Sequence, residues 1–285
     1  MGDGHARGSI GDPGGRYGTE KPHHSETILT MRGDASREVD EEIRREGFIS
    51  HLLDQFIRFG RERERVELKM NSQARTLIGT VSTRPDPDLP DAFYLGVDHP
   101  TMYRMVHERA DPAQVEIAGT AWIRLGNELA SFQDTVRNAV GRSAGSWTGE
   151  AAEAARRYLA DVGTWVGEAG ESAQLAGTQI SRQAEAISKA RQDMPEPVDF
   201  DPVQAIGQLM RLQDPISFWQ TAATITATYY QHQEAHRRAA EVMHTYDATL
   251  GATSTMPAFS PPPSLSGGSG APAPFGMPGG GVAGL

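Results

Sequence analysis

The chain has 285 residues, a formal net charge of −10 and no cysteine. An acidic balance without a block of Lys and Arg excludes the phosphate neutralisation on which nucleic-acid binding depends. The lack of cysteine excludes disulfides and thiolate metal sites, no apolar run is long enough to span a membrane, and we expect no cleavable signal peptide.

The two ends of the chain differ in composition from its middle. Gly, Pro and Ser dominate both ends, and such segments bury too little apolar surface to offset the entropy of the chain. We therefore expect residues 1–35 and 253–285 to be disordered.

A charged segment follows the first of these ends. Residues 36–83 are predicted to form an amphipathic helix, in which the alternating charges at 61–65 are typical of a solvated face. This helix either packs on the rest of the protein or forms a separate coiled-coil arm. Three prolines between 85 and 90 exclude a helix and mark residues 84–98 as a linker.

Residues 99–252 carry the clearest periodicity. Apolar residues recur at steps of three and four on both sides of Trp147-Thr148-Gly149, which predicts two long helices folded back as an antiparallel hairpin. Asp111-Pro112 begins the first of these helices, since Asp caps free amides and Pro loses no hydrogen bond at the first helical position. The apolar stripes comprise Val115, Ala118, Trp122, Leu125, Leu129, Phe132 and Val136 before the turn, and Ala151, Ala155, Tyr158, Val162, Trp165 and Ala169 after it.

A short helix over 202–212 and a third long helix from Asp214-Pro215 to about residue 250 complete the pattern. Helices with aligned apolar stripes bury them against one another. The sequence therefore predicts an all-α fold, an elongated antiparallel helical bundle over residues 99–252 with disordered termini.

These features resemble the PPE domain of actinobacteria. The shared elements are Met102-Tyr103, Ser146-Trp147-Thr148-Gly149 between two long helices, a proline-marked turn, and the Tyr-rich start of residues 229–235. PPE proteins belong with the Trp-x-Gly (WXG) hairpin proteins exported by type VII (ESX) secretion without a cleavable signal. The chain departs from the family pattern because about a hundred residues precede the domain and the Pro-Pro-Glu triplet is missing.

The resemblance implies two sets of secretion or interaction residues. Trp147 and Gly149 match the Trp-x-Gly motif, which contributes to a composite export signal. Physically, Trp147 is expected to plug the end of the hairpin, and Gly149 to permit a tight turn. Tyr230 and Glu234 match the export motif Tyr-x-x-x-Asp/Glu, although in the family that motif normally lies on the PE partner.

The resemblance also implies partners. A PPE protein pairs lengthwise with a PE helical hairpin, and a cytoplasmic ESX chaperone holds the far tip of the bundle, where Phe200, Ile206 and Met210 are the candidate contacts. Self-association is the alternative to a PE-like partner, or the charged helix from Ser36 to Met70 fills the PE position in cis. The secretion ATPase is a further expected partner.

Two motifs suggest catalysis or metal binding, but neither has the context it needs. Gly141 to Gly145 fits Gly-x-Ser-x-Gly, a nucleophile elbow that requires a preceding buried strand. His232 and His236 lie one helical turn apart, yet the zinc protease order His-Glu-x-x-His is not met and no third ligand is specified. We expect no enzymatic activity, no cofactor and no metal site.

The sequence thus predicts a non-enzymatic PPE-like protein that is a substrate or component of a type VII secretion system, located outside the cell or at its surface. It would bind a partner helical hairpin along its length. The alternative is a cytoplasmic helical scaffold or chaperone that is not exported.

Overall fold

A computed structural model describes residues 22–46, 51–87, 92–108 and 111–264. Within these residues the regular β-structure is limited to one isolated bridge, between Thr83 and Pro257. The all-α architecture predicted from the sequence is confirmed. The helices are α1 Ile28–Glu46, α2 His51–Thr80, α3 His99–Glu108, α4 Pro112–Ser143, α5 Glu150–Asp193, α6 Pro202–Met210 and α7 Pro215–Ala252.

Three of the helices begin at an Asp-Pro step. The carboxylates of Asp111, Asp201 and Asp214 accept hydrogen bonds from backbone amides of the first helical turn, and a proline follows each. The aspartates satisfy amides that have no partner within the helix, and proline has no amide to satisfy. The two Asp-Pro helix starts predicted from the sequence are both confirmed.

Helices α4 and α5 pack closely through glycines. A Cβ placed on Gly177 of α5 would lie 2.6 Å from the carbonyl oxygen of Gly119 on α4. One placed on Gly126 of α4 would lie 2.6 Å from the carbonyl oxygen of Gly170. These distances leave no room for a methyl group, so the missing side chains allow the two backbones to touch.

The seam between α4 and α5 differs from the predicted apolar stripes. In α4 the buried residues are Gly119, Thr120, Ile123, Gly126, Ala130 and Val140, whereas Trp122, Leu125 and Phe132 are exposed. The prediction is wrong on this point because the period of large apolar residues was followed and the interleaved glycines were not. Of the predicted stripe, Trp122, Leu125 and Phe132 lie on an exposed lateral face of the hairpin, whereas the side chains of Leu129 and Val136 lie close to Gly170 and Gly163 of α5.

A second core joins α3, the C-terminal end of α5 and the C-terminal half of α7. Its buried residues include Met102, Val106, Ala190 and Met243. The guanidinium of Arg191 donates to the carbonyl oxygens of Val106 and His107 at the end of α3, at 2.6 and 2.9 Å. The same core holds Tyr94, whose hydroxyl donates to Asp247 at 2.6 Å.

The region before the linker is a helical hairpin rather than one helix. The expected disorder of residues 1–35 is wrong from residue 22 onward, and residues 1–21 lie outside the described part of the chain. The single helix predicted over 36–83 is instead two helices, α1 and α2. The amphipathic pattern of α1 was missed because Gly33, Asp34 and Ser36 resemble a loop. Ile28, Met31, Ala35, Val66 and Met70 form the core between the two helices.

The chain after α7 is also ordered over its first part. Residues 253–264, expected to be disordered, run back along α5 and contact Trp165 and Trp122. Hydrogen bonds to other parts of the chain hold this segment in place in spite of its loop-like composition. The remainder of the predicted disordered tail, residues 265–285, lies outside the described residues.

Candidate interaction surfaces

The Trp-x-Gly turn closes the α4–α5 hairpin. Gly149 has a φ of 103°, a conformation that residues with a Cβ rarely adopt, and it leads directly into α5. The buried guanidinium of Arg156 donates to the carbonyl oxygen of Trp147 at 2.7 Å and pairs with Glu153 at 3.3 Å. The backbone conformation of Gly149 and the side chain of Arg156, and not the indole, therefore hold the turn.

The indole of Trp147 is not a buried plug. The residue is 48 % exposed at the end of the hairpin, so the predicted packing role is wrong. Near the hairpin end the buried side chains are those of Val140, Ala152 and Arg156, and not the indole. A large aromatic ring in water at a bundle end is available for contact with another protein.

The N-terminal hairpin, α1 and α2, lies against α5 of the same chain. Glu185 of α5 pairs with Arg32 of α1 at 3.0 Å and with Arg63 of α2 at 2.8 Å. Further along, Gln73 of α2 donates to the hydroxyl of Thr178 at 2.9 Å. The hairpin thus covers one lateral face of α5 through polar side chains.

The segment before α1 extends this contact onto α4. The backbone amide of Ser25 donates to the side-chain oxygen of Asn127 at 2.9 Å, and the Asn127 amide returns a bond to the Ser25 carbonyl at 2.9 Å. The fully buried Gln174 donates to the carbonyl oxygen of His23 at 2.7 Å and accepts from the Ser25 hydroxyl. This paired geometry sets the register of the hairpin on the α4–α5 pair.

The alternating charges at 61–65 are not simply a solvated face, as the sequence suggested. Arg65 and Lys69 pair with Glu38 on α1 at 3.0 and 2.9 Å, and Arg65 also pairs with Glu42. The hydrogen bond from Lys69, followed by the one from Arg65, lowers the pKa of the Glu38 carboxyl. Arg65 therefore faces α1, whereas Arg63 faces α5.

The far tip of the molecule, formed by α6 and the start of α7, carries a cluster of exposed apolar side chains. Val203 is 77 % exposed and Met210 82 % exposed, and Ile206 is also largely in solvent. The same surface includes Ile216 and Trp219. Among the described residues, Ile206 and Met210 are therefore accessible to a partner, as the sequence suggested.

Phe200 lies differently from the other two tip residues. Its ring packs on α7: the ring centroid of Phe200 lies 5.4 Å from that of Tyr229 and 6.1 Å from that of His232. It is partly buried and holds the segment between α5 and α6 against α7. Its geometry suits a support for the tip better than a direct contact.

Tyr230 and Glu234 lie on the exposed side of α7. Tyr230 is 67 % exposed, and Glu234 pairs with Arg237 at 2.7 Å. Hydrogen bonding to Arg237 lowers the pKa of Glu234, which keeps this carboxylate charged. Tyr230 and Glu234 lie towards the tip end of the molecule, whereas Trp147 lies at the opposite end. The two ends are separated by α5, whose 44 residues span about 65 Å.

A histidine cluster, His99, His232 and His236, ties irregular segments to the helices. One ring nitrogen of each contacts a backbone carbonyl: Pro195 for His99 at 2.9 Å, Val198 for His232 at 2.7 Å, and Val97 for His236 at 2.9 Å. Burial lowers the pKa of His99, and the two neighbouring imidazoles add to this effect. Sequence reasoning singled out His232 and His236 but missed His99, which is remote in the chain.

The motifs that suggested catalysis or a metal have other roles. The hydroxyl of Ser143 donates to the carbonyl oxygen of Val140 at 2.8 Å, at the end of a helix and not after a strand. His232 and His236 use ring nitrogens for backbone contacts. In the part of the chain that the structure describes, no group of three His, Asp or Glu side chains is arranged to hold a metal ion.

Together these features define an elongated bundle built on a Trp-x-Gly helical hairpin, with exposed apolar side chains at both ends. The sequence model of the PPE family matches residues 103–257, and the chain belongs to that family. This membership makes it a protein associated with type VII secretion in general terms. A comparison with curated proteins found no match. None of the described helices is long and apolar enough to cross a lipid bilayer.

Proposed function

We propose that this protein is a non-enzymatic substrate or component of a type VII (ESX) secretion system that carries its own partner hairpin. In PPE proteins a separate PE hairpin covers the long helices lengthwise. Here the hairpin α1–α2 packs along α5 of the same chain, with paired hydrogen bonds between Ser25 and Asn127 of α4. That contact carries the proposal.

The character of this contact suits a folded unit that must come apart for transport. Glu185 and its two arginines, Gln73 with Thr178, and Gln174 with Ser25 are polar or charged pairs. Contacts between domains of one chain are commonly of this polar type, and they separate more readily than an apolar core. The hairpin would therefore stabilise the bundle without locking it.

The two ends of the bundle would then have different partners. The exposed apolar tip around Ile206 and Met210 would bind a cytoplasmic ESX chaperone, which keeps that surface from aggregating. The Trp147 indole at the other end would contact the secretion machinery. Tyr230 and Glu234 lie near the tip, so they would act as an export signal only if the machinery contacts that end too.

Export is the direct test of this proposal. The tagged chain is expressed in an actinobacterium with an intact ESX system and in a matched strain whose secretion ATPase cannot hydrolyse ATP. We expect the protein in the culture medium or at the cell surface only in the first strain, with a cytosolic marker retained in both. Retention inside the cell in both strains would instead support the alternative, an intracellular helical scaffold.

Variants then assign the surfaces. Met210→Glu places a charge on the apolar tip and should weaken chaperone capture. Leu68→Glu, at another largely exposed apolar position, on α2, is the matched control. Trp147→Ala should reduce export while leaving the helical content unchanged. If Tyr230→Ala and Glu234→Gln are both exported normally, that pair has no signalling role.

A further inference from the structure

The chain after α7 follows a defined path across the bundle. Thr253, which is fully buried, ends the helix, and the side-chain amide of Gln179 on α5 donates to the carbonyl oxygen of Thr255 at 3.1 Å. Three residues later the backbone amide of Ala258 donates to the carbonyl oxygen of Ser82 at 2.7 Å. Residues 253–264, the C-terminal strap, are thus held by specific bonds in spite of their loop-like composition.

Phe259 and Ser260 of the strap contact two tryptophans of the α4–α5 hairpin. The indole nitrogen of Trp165 on α5 donates to the carbonyl oxygen of Ser260 at 2.9 Å. The ring of Trp122 on α4 lies 6.1 Å from that of Phe259, at an angle of 41°. One tryptophan recognises the backbone of the strap and the other its aromatic side chain.

The sequence of the strap fits such a surface. Phe259 and Ser260 are followed by three prolines, Pro261 to Pro263. Proline restricts the backbone to extended conformations and leaves carbonyl oxygens without competing amide donors. An indole N–H beside an apolar aromatic surface is the kind of group that recognises proline-rich segments in other proteins.

The strap also bonds to the chain directly after the N-terminal hairpin. The amide of Arg84 donates to the carbonyl oxygen of Met256 at 2.8 Å, opposite the bond from Ala258 to Ser82. The Thr255 hydroxyl donates to the Asp86 carboxylate at 2.8 Å. The strap therefore bridges the exit of α2 and the α4–α5 hairpin.

We propose that Trp122 and Trp165 form a docking surface for an extended, proline-flanked apolar segment, that residues 258–263 of the same chain occupy it in cis, and that this docking latches the N-terminal hairpin to the bundle. The surface is shallow, since Trp122 is 38 % and Phe259 46 % exposed. A shallow contact of this kind can open and close while the helices stay folded. The proposal stands whether or not the chain is exported.

Hydrogen exchange of the full chain tests the latch. Trp165→Phe removes the indole donor but keeps an aromatic ring, and Trp219→Phe at the tip is the matched control. We expect Trp165→Phe to accelerate exchange of the amides of both Ala258 and Arg84 about fivefold, as the loss of one ordinary hydrogen bond would. Trp219→Phe should change neither.

Each other outcome of this exchange experiment decides against part of the proposal. Faster exchange at Ala258 with unchanged exchange at Arg84 would show that docking does not latch the hairpin. Unchanged exchange at both amides would remove the docking surface. Protection that rises with protein concentration would show that the segment comes from a second copy, and not from the same chain.

Peptide binding tests the surface itself. In the Phe259→Ala chain the cis segment is weakened, so a fluorescently labelled peptide of residues 256–264 should bind, as measured by anisotropy. Binding should fall when Trp165→Phe is added to the same chain, and a peptide in which alanine replaces Phe259 should bind more weakly. Equal binding by all three combinations would overturn the proposal.

Discussion

The glycine seam between α4 and α5 can be tested by a single methyl group. In Gly177→Ala the added Cβ would lie 2.6 Å from the carbonyl oxygen of Gly119 and 2.7 Å from both the backbone nitrogen and the Cγ1 of Ile123. Two of these three atoms belong to backbone, so they cannot rotate away. The two helices would have to move apart along a seam in which Gly119 and Gly126 are packed as closely.

The size of the effect follows from two opposing contributions. Overpacking of this kind costs up to about 3 kcal/mol. Alanine in a helix recovers roughly 0.8 kcal/mol relative to glycine. We therefore expect Gly177→Ala to lower the free energy of unfolding by about 2 kcal/mol.

Urea unfolding followed by circular dichroism measures this change. The matched control is Gly33→Ala in α1, where a Cβ would meet no atom within 4 Å. Without a clash, only the helix preference remains, and this variant should be more stable by roughly 0.5–1 kcal/mol. If Gly177→Ala is as stable as the control, the close approach of α4 and α5 is wrong.

Three further predictions concern other parts of the molecule. Burial lowers the pKa of His99 below its ordinary 6.5, so protonation of its imidazole opposes folding. The urea midpoint of unfolding should therefore be highest above about pH 6.5 and fall as the pH drops below that value. His99→Gln should make this pH dependence smaller. Trp147→Ala should cost only about 1 kcal/mol, because the half-exposed ring loses little buried area; a loss of 3 kcal/mol or more in urea unfolding would contradict its exposure. Tyr94→Phe removes the hydrogen bond to the Asp247 carboxylate and should lower the free energy of unfolding by about 2 kcal/mol. A thermal unfolding midpoint equal to that of the wild type would argue against this bond.

Local chemistry made part of this fold predictable. The Asp-Pro steps at Asp111 and Asp214 place a cap acceptor and a residue without an amide in consecutive positions, and both open long helices as expected. Gly149 was expected to permit a tight turn, and it has the positive φ that favours glycine. These features depend on a few neighbouring residues, so no tertiary information was needed.

The packing could not be predicted in the same way. Periodicity weights large apolar residues, whereas the α4–α5 seam uses glycines, such as Gly119 and Gly177, that carry no hydropathy signal. Trp122 and Phe132 satisfied the period and yet lie on the lateral face of the hairpin. Only the recurrence of glycine at 119, 126, 163, 170 and 177, spaced by multiples of seven within each helix, could have indicated the true contact.

The candidate surfaces, too, were only partly predictable from the sequence. Ile206 and Met210 could be identified from the sequence because they lie on one side of a short isolated helix, and they are exposed. The docking of the strap on Trp165 could not be predicted from the sequence. Its hydrogen bond joins residues 95 positions apart, and the strap itself has the composition of a loop. The contact of the N-terminal hairpin with α5 is likewise set by single polar pairs that leave no pattern in the chain.

The central claim is that the N-terminal hairpin lies on α5 of its own chain. The protein has no cysteine, so Gln73→Cys and Thr178→Cys introduce the only two thiols, at positions whose native side chains are 2.9 Å apart. Pairing Gln73→Cys with Glu150→Cys, about 42 Å further along α5, provides the matched control.

A short bifunctional thiol reagent, applied to a mixture of isotope-labelled and unlabelled protein, gives the decisive measurement by mass spectrometry. We predict that the 73–178 pair cross-links efficiently and only within single chains, whereas the control pair does not. Cross-links that join labelled to unlabelled chains, or no cross-link between 73 and 178, would contradict the cis arrangement and with it the proposed function.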